Sequence, residues 1–570
     1  MTVVRRLPLT ATLLLAAACA APRAAPPGPA APGAPEPGPY DVVIEGGRIV
    51  DGTGNAWFPG DVAIRGDRIV AIAPPGMLAE AEARRRVDAS GMVVAPGFID
   101  IQSHSPFALL GYRDGRVVSK VTMGVTTEIM GESTTNAPVR PEDAREGVAF
   151  AGPRAFDAWI RAMEEHGASV NFGSFVGATS IRVLAMGEAM GEAGPAELDT
   201  MREAVRNAME DGAFGIGSAL IYPPGAFAST DELVEVNRAA APYGGVYITH
   251  MRSEADRFLE AIDEAIEVGE RAGVPVEIYH LKAAGRRNWP KAAQAVAKID
   301  SARAAGVDVQ ANMYPYTAGG TGLSACFPPW ASADGKLFEN LADPAMRARI
   351  RREIEHQTEE WENLCELATP EGVLLLGLEK RENRAYRGRN LAEVARELGK
   401  DWIETAFDLV LDERQRIGTI YFLMSEENVS MQIGQPWIKF GTDAGGIDPE
   451  TAEGLAHPRA YGTFTRVLGK YVRDEGATTL EEAVRKMSSA VATRLHIRGR
   501  GLLKEGFYAD VAVFDPGTVA DRATYEEPHQ TSTGIRHVFV NGVAVVDEGR
   551  HTGALPGRAV RGPGWSGWGH

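Results

Sequence analysis

The stretch Gly245-Val-Tyr-Ile-Thr-His250 leads from a glycine through apolar residues to a histidine, and Pro275-Val-Glu-Ile-Tyr-His280 has the same form. Much later, Ile438-Lys-Phe-Gly-Thr-Asp443 ends in an aspartate. Short apolar runs bounded by glycine, proline or polar residues are typical of buried parallel strands. In a parallel barrel the strand ends meet at one mouth, so we expect these three polar side chains to share a site.

Further apolar runs predict a barrel around this site, because segments with amphipathic helical spacing separate several of them. The eight strand candidates are Val93–Ile101, Thr126–Met130, Val170–Phe175, Ala213–Ala219, Val246–His250, Val276–His280, Val307–Met313 and Trp437–Gly441. The pattern therefore predicts an α/β fold, a (β/α)₈ TIM-type barrel over residues 93–496. The long, charged gap before the last strand predicts an inserted subdomain over about 328–427.

Both ends of the globular part alternate apolar and polar residues, which indicates antiparallel strands. Residues 40–92 and 497–560 show this pattern, and Asn541-Gly542 is a two-residue hairpin signal. Each segment alone is too small for a stable sheet, so we expect the two to form one small β-sandwich domain.

The first residues have the pattern of an export signal. Residues 1–19 combine a basic start, a short apolar run and small residues before Cys19, which is typical of a bacterial lipoprotein signal peptide. Cleavage further on, giving a free protein, is the alternative. Residues 20–39 are almost entirely Ala, Pro and Gly, and indicate a linker. We therefore expect an exported protein that is periplasmic or tethered to a membrane through Cys19.

The net charge and the cysteine content bear on two further questions, nucleic-acid binding and disulfide formation. The 570 residues carry a net charge of −17, which argues against a nucleic-acid partner because a phosphate backbone requires a basic face. Beyond Cys19, the sequence contains Cys326 and Cys365. These two could form a disulfide in an oxidising compartment, but we expect two buried, unreactive thiols.

Two histidines and a carboxylate at strand ends are a donor set for a divalent metal and its water. A single histidine at a strand end is often only structural, but His250 and His280 on successive strands, with Asp443 downstream, favour a metal site. His104, at the end of the first strand, is a further candidate ligand. Gln102 stands two residues before it and is a weak, neutral ligand.

The remaining ligand is harder to assign. No lysine occurs between Lys120 and Lys282, which excludes a metal-bridging carbamylated lysine from the fourth strand. Glu132 follows the second strand and can supply an anionic oxygen to the metal. The alternative is that its carboxylate hydrogen-bonds a metal ligand or caps a helix N-terminus. We assign Asp443 as the general base, the alternative being a helix N-cap.

At these positions the sequence resembles the D-aminoacylase (N-acyl-D-amino-acid deacylase) family of the amidohydrolase superfamily. The matching stretches are Val94-Ala-Pro-Gly-Phe-Ile-Asp100, Gly124-Val-Thr-Thr127, Leu220-Ile-Tyr-Pro-Pro-Gly225, Thr249-His-Met-Arg252, Tyr314-Pro-Tyr316, His457-Pro-Arg459 and Ala509-Asp-Val-Ala-Val-Phe-Asp515. Together they extend over nearly all of the chain after the linker.

The resemblance implies a zinc site and hydrolysis of an N-acyl bond. His250 and His280 match the tight zinc ligands, His104 matches a ligand of a weaker second site, and Asp443 matches the catalytic acid and base. The resemblance also implies a substrate with a carboxylate. Four residues match those that hold it: Tyr222, Lys282, Tyr314 and Arg459.

The sequence departs from the family at two positions. Gln102 replaces the first histidine of a pair, which makes a second metal ion doubtful. Ser133 aligns with the family's cysteine ligand, and its neighbour Glu132 can replace that cysteine only if the backbone has left the strand.

The sequence therefore predicts a metal-dependent amidohydrolase with one tightly bound Zn²⁺. It would cleave the amide of N-acyl amino acids, most plausibly of D configuration, by attack of zinc-bound hydroxide. The alternatives are a dipeptidase or cyclic-amide hydrolase of the same superfamily, or a non-catalytic, lipid-anchored binding protein on a decayed barrel.

Overall fold

The computed structural model describes residues 39–106, 109–110, 114–356 and 360–567. The expected signal peptide, Cys19 and all of the linker but its last residue lie outside these ranges. Within them the strands are β1 Tyr40–Ile49, β2 Phe58–Arg65, β3 Arg68–Ala73, β4 Ala83–Asp88, β5 Val93–Pro96, β6 Phe98–Asp100, β7 Val125–Met130, β8 Asn171–Ser174, β9 Val176–Gly177, β10 Gly215–Ala219, β11 Val246–His250, β12 Val276–Ile278, β13 Val309–Met313, β14 Ala318–Gly322, β15 Val373–Leu375, β16 Gly418–Phe422, β17 Ile438–Phe440, β18 Val511–Phe514, β19 Ile535–Val540, β20 Val543–Asp547 and β21 Arg550–His551.

The helices of the same ranges follow most of the barrel strands. They are α1 Val118–Val121, α2 Ala155–His166, α3 Ala178–Met186, α4 Pro195–Glu210, α5 Thr230–Ala240, α6 Phe258–Ala272, α7 Lys291–Ala304, α8 Leu337–Ala342, α9 Pro344–Glu355, α10 Leu364–Ala368, α11 Leu391–Leu398, α12 Trp402–Glu413, α13 Glu426–Ile433, α14 Arg459–Arg466, α15 Leu480–Met487 and α16 Ser489–Arg494. A π-helical segment, Val467–Asp474, extends α14. None of these helices has the length and apolar character needed to span a membrane.

Each of the eight strand candidates contributes a strand to the barrel. Strands β9 to β13 and β17 form one parallel sheet, and β6 to β8 form another. At one seam the Phe214 N–H bonds to the Ser174 carbonyl at 3.1 Å. At the other seam the Asp443 N–H bonds to the Gln102 carbonyl at 2.8 Å. The predicted α/β barrel is therefore confirmed, and its closing seam lies at the candidate site.

The first strand differs from the prediction, because Val93–Ile101 forms two strands in two different sheets. Strand β5 pairs with β1 and β18, whereas β6 pairs with β7 in the barrel. Gly97 separates them, and a Cβ there would come within 2.2 Å of Thr126 Cγ2. Only glycine allows the chain to pass this close as it moves from one sheet to the other.

The two chain ends meet through β5 in a nine-stranded sheet of order β21-β20-β19-β18-β5-β1-β2-β3, with β4 paired to β1. Its buried apolar side chains come from both ends, including Val42, Ile64 and Val511. Asn541 and Gly542 join β19 to β20 with positive φ angles of 49° and 79°, as the hairpin signal predicts.

The segment before β17 contains a sheet that the sequence did not reveal. Strands β14, β16 and β15 pair antiparallel, and helices α8 to α12 pack with them around a separate apolar cluster. We call this sheet and its helices, residues 318–422, the inserted layer. It begins ten residues before the predicted start at 328. Strand β14 is AGGTG, and its glycines and small residues lack the apolar alternation that marks a strand.

The expectation of two unreactive thiols is wrong. Cys326 and Cys365 form a disulfide with Cα atoms 5.1 Å apart, between the chain after β14 and helix α10. Their sequence separation is 39 residues, so the bond restricts a long stretch of the unfolded inserted layer.

We expect the double substitution Cys326→Ser/Cys365→Ser to destabilise the inserted layer by about 3 kcal/mol, because it removes this restriction. Calorimetry and limited proteolysis should show earlier melting and cleavage within residues 318–422. Unchanged melting and proteolysis would contradict a stabilising role for the bond.

Candidate metal centre

Glu132 lies at the centre of the candidate site, with each carboxylate oxygen directed to a different group. Oε1 is 3.4 Å from His250 Nδ1 and 3.5 Å from His280 Nε2. Oε2 is 3.4 Å from His104 Nε2 and accepts a 2.6 Å hydrogen bond from Gln102 Nε2. The Glu132 side chain is only 8% exposed, so this charge is held largely out of water.

The backbone after β7 explains why Glu132, and not Ser133, faces the barrel mouth. The strand ends at Met130, and Gly131 has a φ of 106°. A Cβ on Gly131 would lie 2.3 Å from the Phe175 carbonyl oxygen. Ser133 has a φ of 63°, and its hydroxyl lies 3.0 Å from Thr179 Oγ1. The chain has thus left the strand, which was the condition for Glu132 to replace a cysteine ligand.

His250 and His280 reach the site in different ways. His250 is the last residue of β11, as predicted. Strand β12 ends at Ile278, two residues earlier than predicted, and His280 adopts a φ of 33°. The His280 N–H donates to Asn312 Oδ1 at 2.9 Å, which fixes this unusual conformation. Both imidazoles are buried, and their ring centroids are 4.5 Å apart.

Glu254 is part of the site, although the sequence gave no reason to assign it a role. Its Oε1 lies 2.9 Å from His280 Nδ1 and 2.6 Å from Lys282 Nζ. A carboxylate that bonds the outer nitrogen of a histidine fixes the ring and its tautomer, as behind many metal-binding histidines. The position of Glu254 four residues after His250 is the only sequence signal that could have pointed to it.

Asp443 lies on the other side of Glu132. Its Oδ1 is 2.9 Å from His104 Nε2, and its Oδ2 is 2.7 Å from an Arg459 guanidinium nitrogen. Burial raises the pKa of Asp443, but the Arg459 charge and the hydrogen bond with His104 outweigh this effect. The pKa is therefore lowered to about 2. The carboxylate is therefore ionised at neutral pH.

A buried charged network holds the two loops that carry His104 and Asp443. Lys120 Nζ donates to Asp100 Oδ2 at 2.7 Å, to Thr442 Oγ1 at 2.6 Å and to the Ala444 carbonyl at 2.7 Å. Asp100 also accepts from the Thr442 N–H at 2.9 Å. Lys120 and Asp100 are completely buried, and so is Glu128, which lies 3.3 Å from Lys120 Nζ, so both carboxylates depend on the one ammonium group.

The four predicted substrate residues lie around this centre. The Tyr314 ring is flanked by Arg459 at 4.6 Å and by Lys282 at 5.8 Å. The Tyr222 ring lies 5.4 Å from the His250 ring, and burial raises the pKa of its phenol. Lys282 already pairs with Glu254, which compensates part of its charge.

The donor set fits a zinc ion. Two groups of residues bring three ligand atoms within 4.8 Å of one another. The first is Glu132, His250 and His280, and the second is His104, Glu132 and Asp443. Two imidazoles and one carboxylate in a buried pocket are the ligands of many catalytic zinc sites. His250 turns its Nδ1 toward Glu132, while its Nε2 is buried without a hydrogen-bond partner in the described part of the chain and lies 3.7 Å from Glu254 Oε2.

Comparison with known proteins identifies the family. The amidohydrolase family model matches residues 376–546. The chain is 36% identical over 530 residues to D-aminoacylase of Alcaligenes xylosoxydans xylosoxydans, which covers 92% of this chain and 98% of the relative. The chain belongs to the D-aminoacylase family of amidohydrolases.

Solved structures of this family agree with the barrel. A D-aminoacylase structure described with a binuclear metal centre matches with a TM-score of 0.76 and 34% identity, covering 92% of this chain and all of the other. The N-acyl-D-glutamate deacylase of Bordetella bronchiseptica, complexed with zinc and a phosphonate inhibitor, matches with a TM-score of 0.75 and 32% identity over the same shares.

Glu132→Gln should remove most of the bound zinc, because a neutral amide is a poor replacement for the anionic oxygen among the imidazoles. We expect zinc affinity to fall by at least about 100-fold, more than the loss of a group behind a ligand usually costs. Ser133→Ala is the matched control and should keep its zinc. Elemental analysis after gel filtration measures both, and full zinc in Glu132→Gln would remove Glu132 from the ligand set.

Proposed function

We propose that this protein is a zinc-dependent N-acyl-D-amino-acid deacylase. It would hydrolyse the amide between an acyl group and the nitrogen of a D-amino acid, which yields a carboxylate and the free amino acid. The observation that carries the proposal is the buried set of Glu132, His250 and His280 beside the ionised, Arg459-paired carboxylate of Asp443. Family membership supports the same chemistry.

The chain's own residues account for the proton transfers. When bound, a zinc ion supplies Lewis-acid chemistry, since it polarises a carbonyl and makes water more acidic. Asp443 is ionised and can take the proton of the attacking water at either carboxylate oxygen. The same proton then passes to the leaving nitrogen as the C–N bond breaks, which gives a carboxylic acid and a neutral amine. The acid then loses its proton to the amine or to solvent, and the products leave as a carboxylate and an amino acid. Glu254 Oε1 and Lys282 Nζ lie 2.9 and 2.7 Å from His280 Nδ1 and hold the ring in place.

The positive groups beyond Asp443 suit a substrate carboxylate. Arg459 is buried, and its planar guanidinium can bond a substrate carboxylate beside the contacts it already makes with Asp443 at 2.7 Å and with the Gly320 carbonyl at 3.3 Å. Tyr314 lies against this guanidinium and can add a hydroxyl donor. Lys282 and Tyr222 border the same space, and we assign all four to substrate binding.

We propose one tightly bound ion. The group of His104, Glu132 and Asp443 could hold a second ion only weakly, because the His104 side chain is 42% exposed and Gln102 replaces an imidazole. The binding-protein alternative rested on Gln102 and on the missing cysteine. Glu132 lies within 3.5 Å of both His250 and His280, which supports the enzyme. No observation favours the binding protein, a dipeptidase or a cyclic-amide hydrolase.

We also propose that the protein is exported and tethered through Cys19. The disulfide between Cys326 and Cys365 supports export, because disulfides persist in oxidising compartments and are rare in the bacterial cytosol. The residues of the signal itself lie outside those that the structure describes.

Asp443→Asn should keep its zinc and lose turnover by about 10²- to 10⁴-fold, because the amide cannot accept the proton of the water. The assay compares matched N-acetyl-D- and N-acetyl-L-amino acids with zinc-loaded protein, with zinc content measured on the same samples. Unchanged turnover in the variant would exclude Asp443 as the base. Hydrolysis of the L series alone would exclude the D-specific proposal.

Cys19→Ala should move the protein from the membrane fraction to the soluble periplasmic fraction, because an alanine cannot carry the lipid. Fractionation of an expressing bacterium and incorporation of labelled palmitate measure this. A wild-type protein without label in the soluble fraction would contradict the tether.

A further inference from the structure

Glu362, in the inserted layer, reaches across to the loop that follows strand β11. Its Oε1 accepts hydrogen bonds from the Ser253 hydroxyl at 2.8 Å and from the Ala255 N–H at 2.7 Å. The Glu254 N–H donates to the same oxygen. One carboxylate oxygen of the inserted layer thus holds three consecutive residues of a barrel loop.

The turn that Glu362 holds is the one that presents Glu254 to the metal centre. The Glu254 carboxylate contacts His280 Nδ1 at 2.9 Å, and His280 Nε2 faces Glu132. The Glu254 carbonyl also accepts from the Ala284 N–H at 2.7 Å, which ties this turn to the loop after β12. A continuous set of contacts therefore runs from the inserted layer to a candidate zinc ligand.

Glu362 is itself held in place by the chain that follows it. The Asn363 side chain caps helix α10 by accepting from the N–H groups of Cys365 and Glu366. Cys365 is the residue bonded to Cys326. The carboxylate therefore projects from a fixed helix start and not from a free loop.

Among the described residues, no hydrogen-bond donor faces the other carboxylate oxygen of Glu362. This atom, Oε2, is buried. Burial and the negative charge of Glu254 raise the pKa of Glu362 to about 7. A second carboxyl group beside Glu254 is costly, so the three bonds at Oε1 must outweigh that cost.

We propose that Glu362 is a positioning residue, which fixes the turn at residues 253–255 so that Glu254 orients His280 toward the metal ion. This inference rests on the proposed zinc function. It assigns the inserted layer a part in shaping the metal centre, through one side chain that touches neither metal nor substrate.

The test compares Glu362→Met with Glu362→Gln in the full-length protein. Methionine has a similar volume but cannot accept the three hydrogen bonds, whereas the glutamine oxygen can. The measurements are the visible spectrum of the cobalt-loaded protein, the rate of zinc release to a chelator, and kcat and KM on an N-acetyl-D-amino acid.

We expect Glu362→Met to shift the cobalt absorption bands and to speed zinc release by about tenfold, at the low end for groups that orient metal ligands. The kcat should fall while KM changes little, and Glu362→Gln should restore all three properties. The control is Glu366→Gln. Glu366 forms a 2.8 Å ion pair with Arg287, so this variant weakens a different contact between the inserted layer and the barrel. It should behave as the wild type does.

Cobalt bands and zinc release in Glu362→Met that match the wild type would overturn the proposal. Equal changes in Glu362→Met and Glu366→Gln would also overturn it, since a general loosening of the inserted layer would then explain the altered cobalt bands and zinc release. Should Glu362→Met fail to fold, Ser253→Ala removes one of the three donors and must shift the cobalt bands in a smaller degree. The spectra and release rates do not require turnover, so the absence of deacylase activity would refute the proposed function separately.

Discussion

The site depends on one buried carboxylate among imidazoles. Glu132 is largely withdrawn from water and faces His104, His250 and His280 at 3.4 to 3.5 Å. A carboxylate in such a place is costly unless positive charge or hydrogen bonds compensate it. A divalent cation held by Glu132 and the two buried histidines would provide that compensation.

The fold supplies this arrangement through constraints outside the ligands. Gly131 lets the chain turn so that Glu132 points into the mouth. The buried pair of Lys120 and Asp100 connects the first and last barrel strands at the seam where the barrel closes. The buried Glu128 also lies 3.3 Å from Lys120, so removing Lys120 would leave two carboxylates buried without their shared cation. The seam is therefore both a stabilising element and the support of Asp443.

Apolar periodicity was sufficient to predict the barrel, because its buried strands are short apolar runs separated by helices. It could not show that Val93–Ile101 divides between two sheets, since both halves are equally apolar and only the close contact at Gly97 separates them. Strand β14 could not be predicted for the opposite reason, because its five residues are small and show no apolar alternation.

The site was predictable where a polar residue stands at or just after a strand, as for His250, the last residue of β11, and Asp443, three residues after β17. Glu132 could be suggested but not chosen over Ser133, because the choice depends on the φ angles of two residues after β7. Glu254 and Glu362 gave no recognisable pattern, since their roles arise from contacts between distant segments. The same is true of the disulfide, whose cysteines meet only once the inserted layer folds.

The most direct test of the central claim is X-ray absorption spectroscopy of the zinc-loaded protein. The account predicts a first shell made only of nitrogen and oxygen at about 2.0–2.2 Å, including two imidazoles. It also predicts that the oxygen contribution decreases in the Glu132→Gln protein. A sulfur neighbour at about 2.3 Å, or a shell without imidazole, would contradict the account.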